Sequence, residues 1–151
     1  MAGARHPSGR DPVTIPVLIV THGGLAGELL AAARVIAGEL PGFEALALDW
    51  SEDLETASRR VGERVAALDH GQGVLVLTDM YGDTPYNAAA SCARPGRVEV
   101  VTGVNLPMVV RLGCLRESHA GLEELARWLE DKGRRSICRA GEGGRTPGEN
   151  G

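Results

Sequence analysis

The sequence has few aromatic residues, few cysteines and no long apolar run. Because only two Trp, two Tyr and one Phe occur among 151 residues, the core must be aliphatic. No apolar run has the length of a membrane span, and the N-terminus lacks the apolar stretch of a secretory signal. The three cysteines are widely spaced with no CxxC pair, which predicts free thiols in a cytoplasmic protein without a disulfide framework or zinc site. A net charge of −4 without a basic cluster argues against nucleic acid as a partner.

Composition along the chain divides it into one domain and two tails. Residues 1–12 and 140–151 are rich in small and polar residues. This composition predicts a disordered leader and a disordered tail. Residues 13–139 form a single domain in which apolar runs alternate with helical periodicity. We predict four strands, at 13–20, 43–48, 74–78 and 98–102. We also predict five helices: one at 25–40, one from a Ser51 cap to 68, a short one with a Thr84 cap and Pro85 at its first position, one from an Asn105 cap, and one at 122–132.

This alternation of strands and helices predicts an α/β fold with a largely parallel, doubly wound sheet. The commonest compact strand order for such a chain is 2-1-3-4, with a fifth strand, here near 136–138, at one edge. In that order the first and third strands are neighbours, and the residues that follow them, His22 and Asp79, lie at the same edge of the sheet. Ligands of open parallel sheets bind at this edge.

A histidine beside a carboxylate is a means of making a nucleophile. If Asp79 accepts the proton of one ring nitrogen of His22, the other nitrogen keeps a free lone pair, and the carboxylate stabilises the ring when it becomes cationic. The backbone around Gly23 and Gly24, the helix that follows them and the Thr84 hydroxyl are candidates for holding phosphoryl oxygens. His22 and Asp79 are therefore candidate catalytic residues.

Structural interpretations of the same residues stay open at this point. A histidine after a strand is often a turn or core residue, an aspartate there often caps the next helix, and Gly-Gly marks any tight turn between a strand and a helix. Trp50, just after the second strand, belongs either to the core or to a docking surface.

Three segments resemble the mannose-family IIA component of the bacterial phosphoenolpyruvate-dependent sugar phosphotransferase system. Residues 18–30, Leu-Ile-Val-Thr-His-Gly-Gly-Leu-Ala-Gly-Glu-Leu-Leu, resemble that family's active-site region. Residues 75–89, Leu-Val-Leu-Thr-Asp-Met-Tyr-Gly-Asp-Thr-Pro-Tyr-Asn-Ala-Ala, resemble its second motif, and residues 102–108, Thr-Gly-Val-Asn-Leu-Pro-Met, resemble its third. The order and spacing match over about residues 14–138, and the combination is specific although each segment alone is weak.

The resemblance implies a mechanism as well as a fold. It implies that His22 accepts a phosphoryl group from the phosphocarrier protein HPr and passes it to a IIB component, that Asp79 orients His22, and that Thr84 lies in the phosphate pocket. It also implies a flavodoxin-like sheet of four parallel strands with an antiparallel edge strand at 136–138, which some relatives exchange in a homodimer. Neither metal nor cofactor is implied, because the donor is a phosphoprotein, and contact with the membrane permease would be peripheral at most.

One residue departs from the family pattern. Asp83 stands where the family usually has a second glycine, and a carboxylate there would repel a bound phosphoryl group by about 1–4 kcal/mol at short range. We therefore expect Asp83 to point away from His22.

Three functions remain open, and a fourth is excluded. The chain is either a phosphocarrier for sugar uptake or a regulatory protein whose His22 phosphorylation state controls binding to a kinase or transcription regulator. A related branch, which donates phosphate to dihydroxyacetone kinase, also remains, although the Gly23-Gly24 context argues against it. A two-component receiver is excluded, because Thr21 and His22 replace the acidic pair that receivers need after the first strand, and the only lysine is Lys132.

Overall fold

A computed structural model describes residues 14–115 and 121–141 of the chain. Four strands and five helices alternate along these residues until the last two helices follow one another. The elements are β1 (Val17–His22), α1 (Leu25–Ala37), β2 (Phe43–Leu48), α2 (Leu54–Leu68), β3 (Val74–Thr78), α3 (Thr84–Ser91), β4 (Val98–Thr102), α4 (Leu106–Gly113) and α5 (Leu122–Arg135).

The strands form one parallel sheet in the order β2-β1-β3-β4, which confirms the predicted α/β fold and strand order. Helices cover both faces, as the continuous burial of β1 and β3 requires. Side chains of α1, α4 and α5 pack in the core on one face, and those of α2 and α3 pack in the core on the other. The core is almost entirely aliphatic, and among the described residues Phe43 is its one buried aromatic side chain.

The predicted antiparallel edge strand at 136–138 is wrong: no strand follows β4 in the described part of the chain. Ser136 donates its backbone N–H and its hydroxyl to the carbonyl of Gly133, at 3.2 and 2.6 Å. Ile137 donates its N–H to the carbonyl of Arg134. These groups complete the C-terminal turn of α5, so they are not available to pair with β4.

Several predicted boundaries also move. The first strand begins after Pro16 and extends through His22, instead of spanning 13–20, and α1 ends at Ala37 because Gly38 leaves the helix with φ +84°. Asp53, and not Ser51, caps α2: its carboxylate accepts the N–H of Thr56 at 2.7 Å, which lowers the pKa of Asp53.

Other predictions concern the ends of the chain and α4. Asn105 caps α4 as predicted, by accepting the N–H of Met108 at 3.1 Å.

The leader at 1–12 and most of the tail at 140–151 lie outside the described residues. Over residues 14–115 and 121–141, no helix combines the length and apolar character that crossing a membrane requires.

Candidate functional site

His22 is the last residue of β1, and hydrogen bonds on both sides hold its backbone in place. The hydroxyl of the buried Thr21 accepts the N–H of Ala26 at 2.7 Å, so it caps the first turn of α1. Gly23 makes the sharp turn with φ +52° and donates its N–H to the carbonyl of Leu48 at 2.9 Å. The turn therefore carries the imidazole to the carboxyl edge of the sheet, between β2 and β3.

Asp79 contacts His22 twice with the same carboxylate oxygen. Its Oδ2 lies 2.9 Å from His22 Nδ1 and accepts the backbone N–H of His22 at 3.1 Å, while Oδ1 accepts the N–H of Met80 at 3.1 Å. The two side chains are only 15% and 12% exposed. Because a carboxylate only accepts, the neutral imidazole carries its proton on Nδ1, and Nε2 keeps its lone pair. The predicted adjacency of these two residues is confirmed.

Asp83 does not point away from His22, so that expectation is wrong. Its Oδ2 lies 3.7 Å from Nε2 of His22, and its side chain is 43% exposed. Asp83 occupies the N-cap position of α3 without making a side-chain capping bond, and its carbonyl accepts the N–H of Asn87 at 2.8 Å. Since the start of α3 approaches the strand edge, the residue at this position faces the imidazole.

The remaining predicted phosphate-binding residues lie at the two helix ends beside His22. Gly24 is exposed and forms the N-cap of α1, whereas the N–H of Gly23 is already donated to a carbonyl. Thr84 is the first residue of α3, directly after Asp83, and is half-buried. It is not the N-cap that the sequence predicted, because Asp83 takes that position.

Trp50 is a further neighbour of the imidazole that sequence reasoning did not assign. Its indole stacks on the His22 ring, with centroids 4.6 Å apart and planes inclined by 16°. Trp50 is 79% exposed, so it is not a core residue. The contact could have been predicted from the strand order 2-1-3-4, since that order places the residues after β2 beside the end of β1.

The loop that carries Trp50 is held by local hydrogen bonds. Ser51 donates its backbone N–H and its hydroxyl to Oδ1 of Asp49, at 2.9 and 2.6 Å, and these bonds lower the pKa of Asp49. Glu52 forms an ion pair with Arg60 of α2 and donates its N–H to the carbonyl of Asp49 at 3.0 Å. The backbone on both sides of Trp50 is therefore anchored.

Comparison with known proteins identifies the family. A model described as "PTS system fructose IIA component" matches residues 16–129. The chain is 32% identical over 124 residues to the fructose-specific EIIA component of Bacillus subtilis, covering 82% of this chain and 84% of that protein. It is also 32% identical over 126 residues to the mannose-specific EIIAB component of Escherichia coli K12, covering 83% of this chain. The chain therefore belongs to the mannose, fructose and sorbose family of phosphotransferase system IIA components, as its motifs predicted.

Solved structures of IIA proteins have the same fold as this chain. The chain matches a IIA protein associated with a fucose utilization operon of Streptococcus pneumoniae with a TM-score of 0.70 and 28% identity, covering 83% of this chain and 93% of that one. It matches a mannose/sorbose-specific IIA subunit of Enterococcus faecalis with a TM-score of 0.74 and 24% identity, covering 89% and 100%, which supports the fold alone. The match spans only 39% of the length of the E. coli EIIAB component.

Proposed function

We propose that this protein is a phosphocarrier that accepts a phosphoryl group on His22 from HPr and passes it to a IIB component for sugar uptake. The observation that carries the proposal is the 2.9 Å contact between Nδ1 of His22 and Asp79, which leaves Nε2 as the nucleophile at the carboxyl edge of the sheet.

The proposed transfer needs only the side chains already described. The lone pair of Nε2 forms a bond to phosphorus while the bond from phosphorus to the donor's histidine nitrogen breaks, and that electron pair stays on the donor. The Nδ1 proton remains on His22, and Asp79 stabilises the positive charge that develops on the ring. Transfer to IIB is the same step with His22 as the donor, so Asp79 serves in both directions.

The phosphoryl oxygens would lie between the start of α1 and the start of α3. Gly24 lets the chain approach the group closely and brings the positive end of the α1 dipole toward it. Gly23 contributes the turn, since its own N–H is donated to Leu48. The Thr84 hydroxyl is the proposed side-chain donor from α3.

Asp83 supports a second candidate function. Its carboxylate lies 3.7 Å from Nε2, and its repulsion from the doubly charged phosphoryl group exceeds its attraction to the singly charged ring. The phosphorylated state is therefore less stable than it would be beside a neutral residue. Such a protein becomes substantially phosphorylated only when HPr itself is largely phosphorylated. That behaviour suits a regulatory protein whose phosphorylation state controls binding to a kinase or a transcription regulator.

The proposal extends to location and assembly. HPr and IIB act in the cytoplasm, so we place this protein there, with at most peripheral contact with a membrane permease. A homodimer is the proposed assembly. Ser136 and Ile137 bond to the last turn of α5, so an exchange of the segment 136–138 between subunits would require that turn to open.

Phosphorylation by the donor proteins tests the proposal directly. The protein is incubated with phosphoenolpyruvate, enzyme I and HPr, and its intact mass is measured before and after brief acid treatment. We expect one acid-labile phosphoryl group on the wild type and none on His22→Ala. Adding IIB components should then remove the group if the protein serves sugar uptake. A wild-type protein that gains no phosphoryl group from HPr would refute the proposal.

A further inference from the structure

We propose that Trp50 is a positioning residue for phosphoryl transfer at His22, an inference that rests on the proposed function. Its indole holds one face of the imidazole and stabilises the ring as it becomes cationic. The observation behind the proposal is the nearly parallel stack of the two rings, with centroids 4.6 Å apart.

The stack completes the restraint of the imidazole. The covalent bond to Cβ and the hydrogen bond from Nδ1 to Asp79 hold the ring at two points, and the ring can still tilt about the Cβ–Cγ bond within the tolerance of the hydrogen bond. A flat surface against one face of the ring limits this tilt and so narrows the directions in which Nε2 points. Gly23 lies directly beside the indole: a Cβ there would lie 3.4 Å from Nε1 of Trp50, which is an ordinary contact, so glycine is favoured here by its φ of +52° and not by lack of space.

The position of Trp50 is not explained by burial. At 79% exposure the indole contributes little to the core, and exposing so much apolar surface is unfavourable. Nevertheless its loop is anchored on both sides by the Asp49 turn and by the ion pair between Glu52 and Arg60. An anchored loop that presents an exposed indole to the nucleophile is consistent with a role at the site.

The chemistry of the transfer gives the indole a second effect. When Nε2 bonds to phosphorus and Nδ1 keeps its proton, the imidazole acquires positive charge. The π face of tryptophan attracts a cation more strongly than the faces of the other aromatic side chains. Trp50 therefore stabilises the transition state more than the neutral ring, in addition to the stabilisation from Asp79.

The stack itself can be tested in the free protein. Ring currents of a stacked indole move the Cε1–H and Cδ2–H resonances of His22 upfield, and these resonances are assigned by their loss in His22→Asn. We expect them to move downfield in Trp50→Ala. Unchanged resonances would show that the indole does not stack on His22 in solution, which would overturn the proposal.

The functional effect is measured with a donor that has no protein surface. Phosphoramidate phosphorylates histidine side chains directly, so a slower reaction of Trp50→Ala cannot reflect lost contacts with HPr. We expect that variant to react roughly 3- to 30-fold more slowly. Trp50→Phe, which keeps a flat aromatic face, should recover most of the rate. Tyr81→Ala is the matched control, because Tyr81 is also an exposed aromatic residue, at 75%, but packs against Tyr86.

The outcomes separate this proposal from the proposed function. If Trp50→Ala reacts with phosphoramidate at the wild-type rate but more slowly with HPr, Trp50 is a docking residue and the positioning role is refuted. If the wild type reacts with phosphoramidate in a Trp50-dependent way but gains nothing from HPr, the positioning role stands and the carrier function fails. If Tyr81→Ala slows the phosphoramidate reaction as much as Trp50→Ala does, the stack has no particular role and the proposal is refuted.

Discussion

Replacing Asp83 by asparagine removes a negative charge beside the atom that would carry the phosphoryl group. The Oδ2 atom of Asp83 lies 3.7 Å from Nε2 of His22. The phosphoryl group carries about two negative charges and the ring one positive charge, so Asp83 faces a net charge of about −1. Two unit charges about 4 Å apart interact by about 1 kcal/mol in water and by about 4 kcal/mol at an effective dielectric constant of about 20. Because Asp83 is 43% exposed and can turn toward solvent, the lower part of this range applies.

We therefore expect Asp83→Asn to stabilise the phosphorylated state by about 1–2 kcal/mol, which is about a 5- to 30-fold shift of the equilibrium with HPr. The assay mixes phosphorylated HPr with the protein, allows the transfer to equilibrate, and measures the phosphorylated fraction of both proteins by intact mass. Asp83→Gly, which introduces the glycine of the family pattern, should shift the equilibrium in the same direction.

The control and the salt dependence identify the cause. Asp131→Asn on α5 makes the same substitution and the same change in net charge at an ion pair with Arg135, and it should leave the equilibrium unchanged. The difference between wild type and Asp83→Asn should shrink as salt is added, because screening weakens interactions of exposed charges. Equal equilibrium constants for wild type and Asp83→Asn at low salt would refute the electrostatic reasoning.

Three further predictions concern other contacts of the chain. Asp79→Asn should slow phosphorylation by phosphoramidate about 10- to 150-fold, because a hydrogen bond to a charged group contributes about 1.5–3 kcal/mol. A wild-type rate would show that the 2.9 Å contact does not orient the imidazole. Asn105→Ala should lower the free energy of unfolding by about 0.5–2 kcal/mol in urea titrations, because α4 loses its N-cap and the N–H of Met108 loses its acceptor. An unchanged free energy of unfolding would indicate that solvent replaces the cap. Gly73→Ala should destabilise the fold by more than about 1 kcal/mol, because φ is +84° and a Cβ would lie 2.7 Å from the carbonyl oxygen of Arg97; a wild-type melting temperature would contradict the strain.

The strands could be predicted from local patterns in the sequence, and the strand order and the pairing of His22 with Asp79 from the commonest order for such a chain. Continuous runs of valine and leucine mark strands that are covered on both faces, and polar residues directly after those runs lie at one edge of a parallel sheet. The motifs around His22, Asp79 and Asn105 then identified the family, which the comparisons confirmed.

The errors arose where competing local interactions were close in energy. Ser51 and Asp53 are both good capping residues, and Asp53 prevailed because Ser51 bonds to Asp49. The segment after α5 has the composition of a short strand, but the carbonyls at the end of α5 take its first N–H groups. Neither choice is visible in residue types alone.

The sequence by itself determined the family, the parallel sheet and the place of His22 beside Asp79. Hydrophobic periodicity marks the strands, and the two residues lie at the ends of strands that are neighbours in the commonest strand order. Only the tertiary structure decided which side chain lies beside Nε2 of His22 and which one stacks on its ring. Asp83 and Trp50 belong to loops from different strands, and their side-chain directions depend on how α3 and the β2–α2 loop pack against the sheet. Distances between such loops are set by the whole core, so no local pattern in the sequence encodes them.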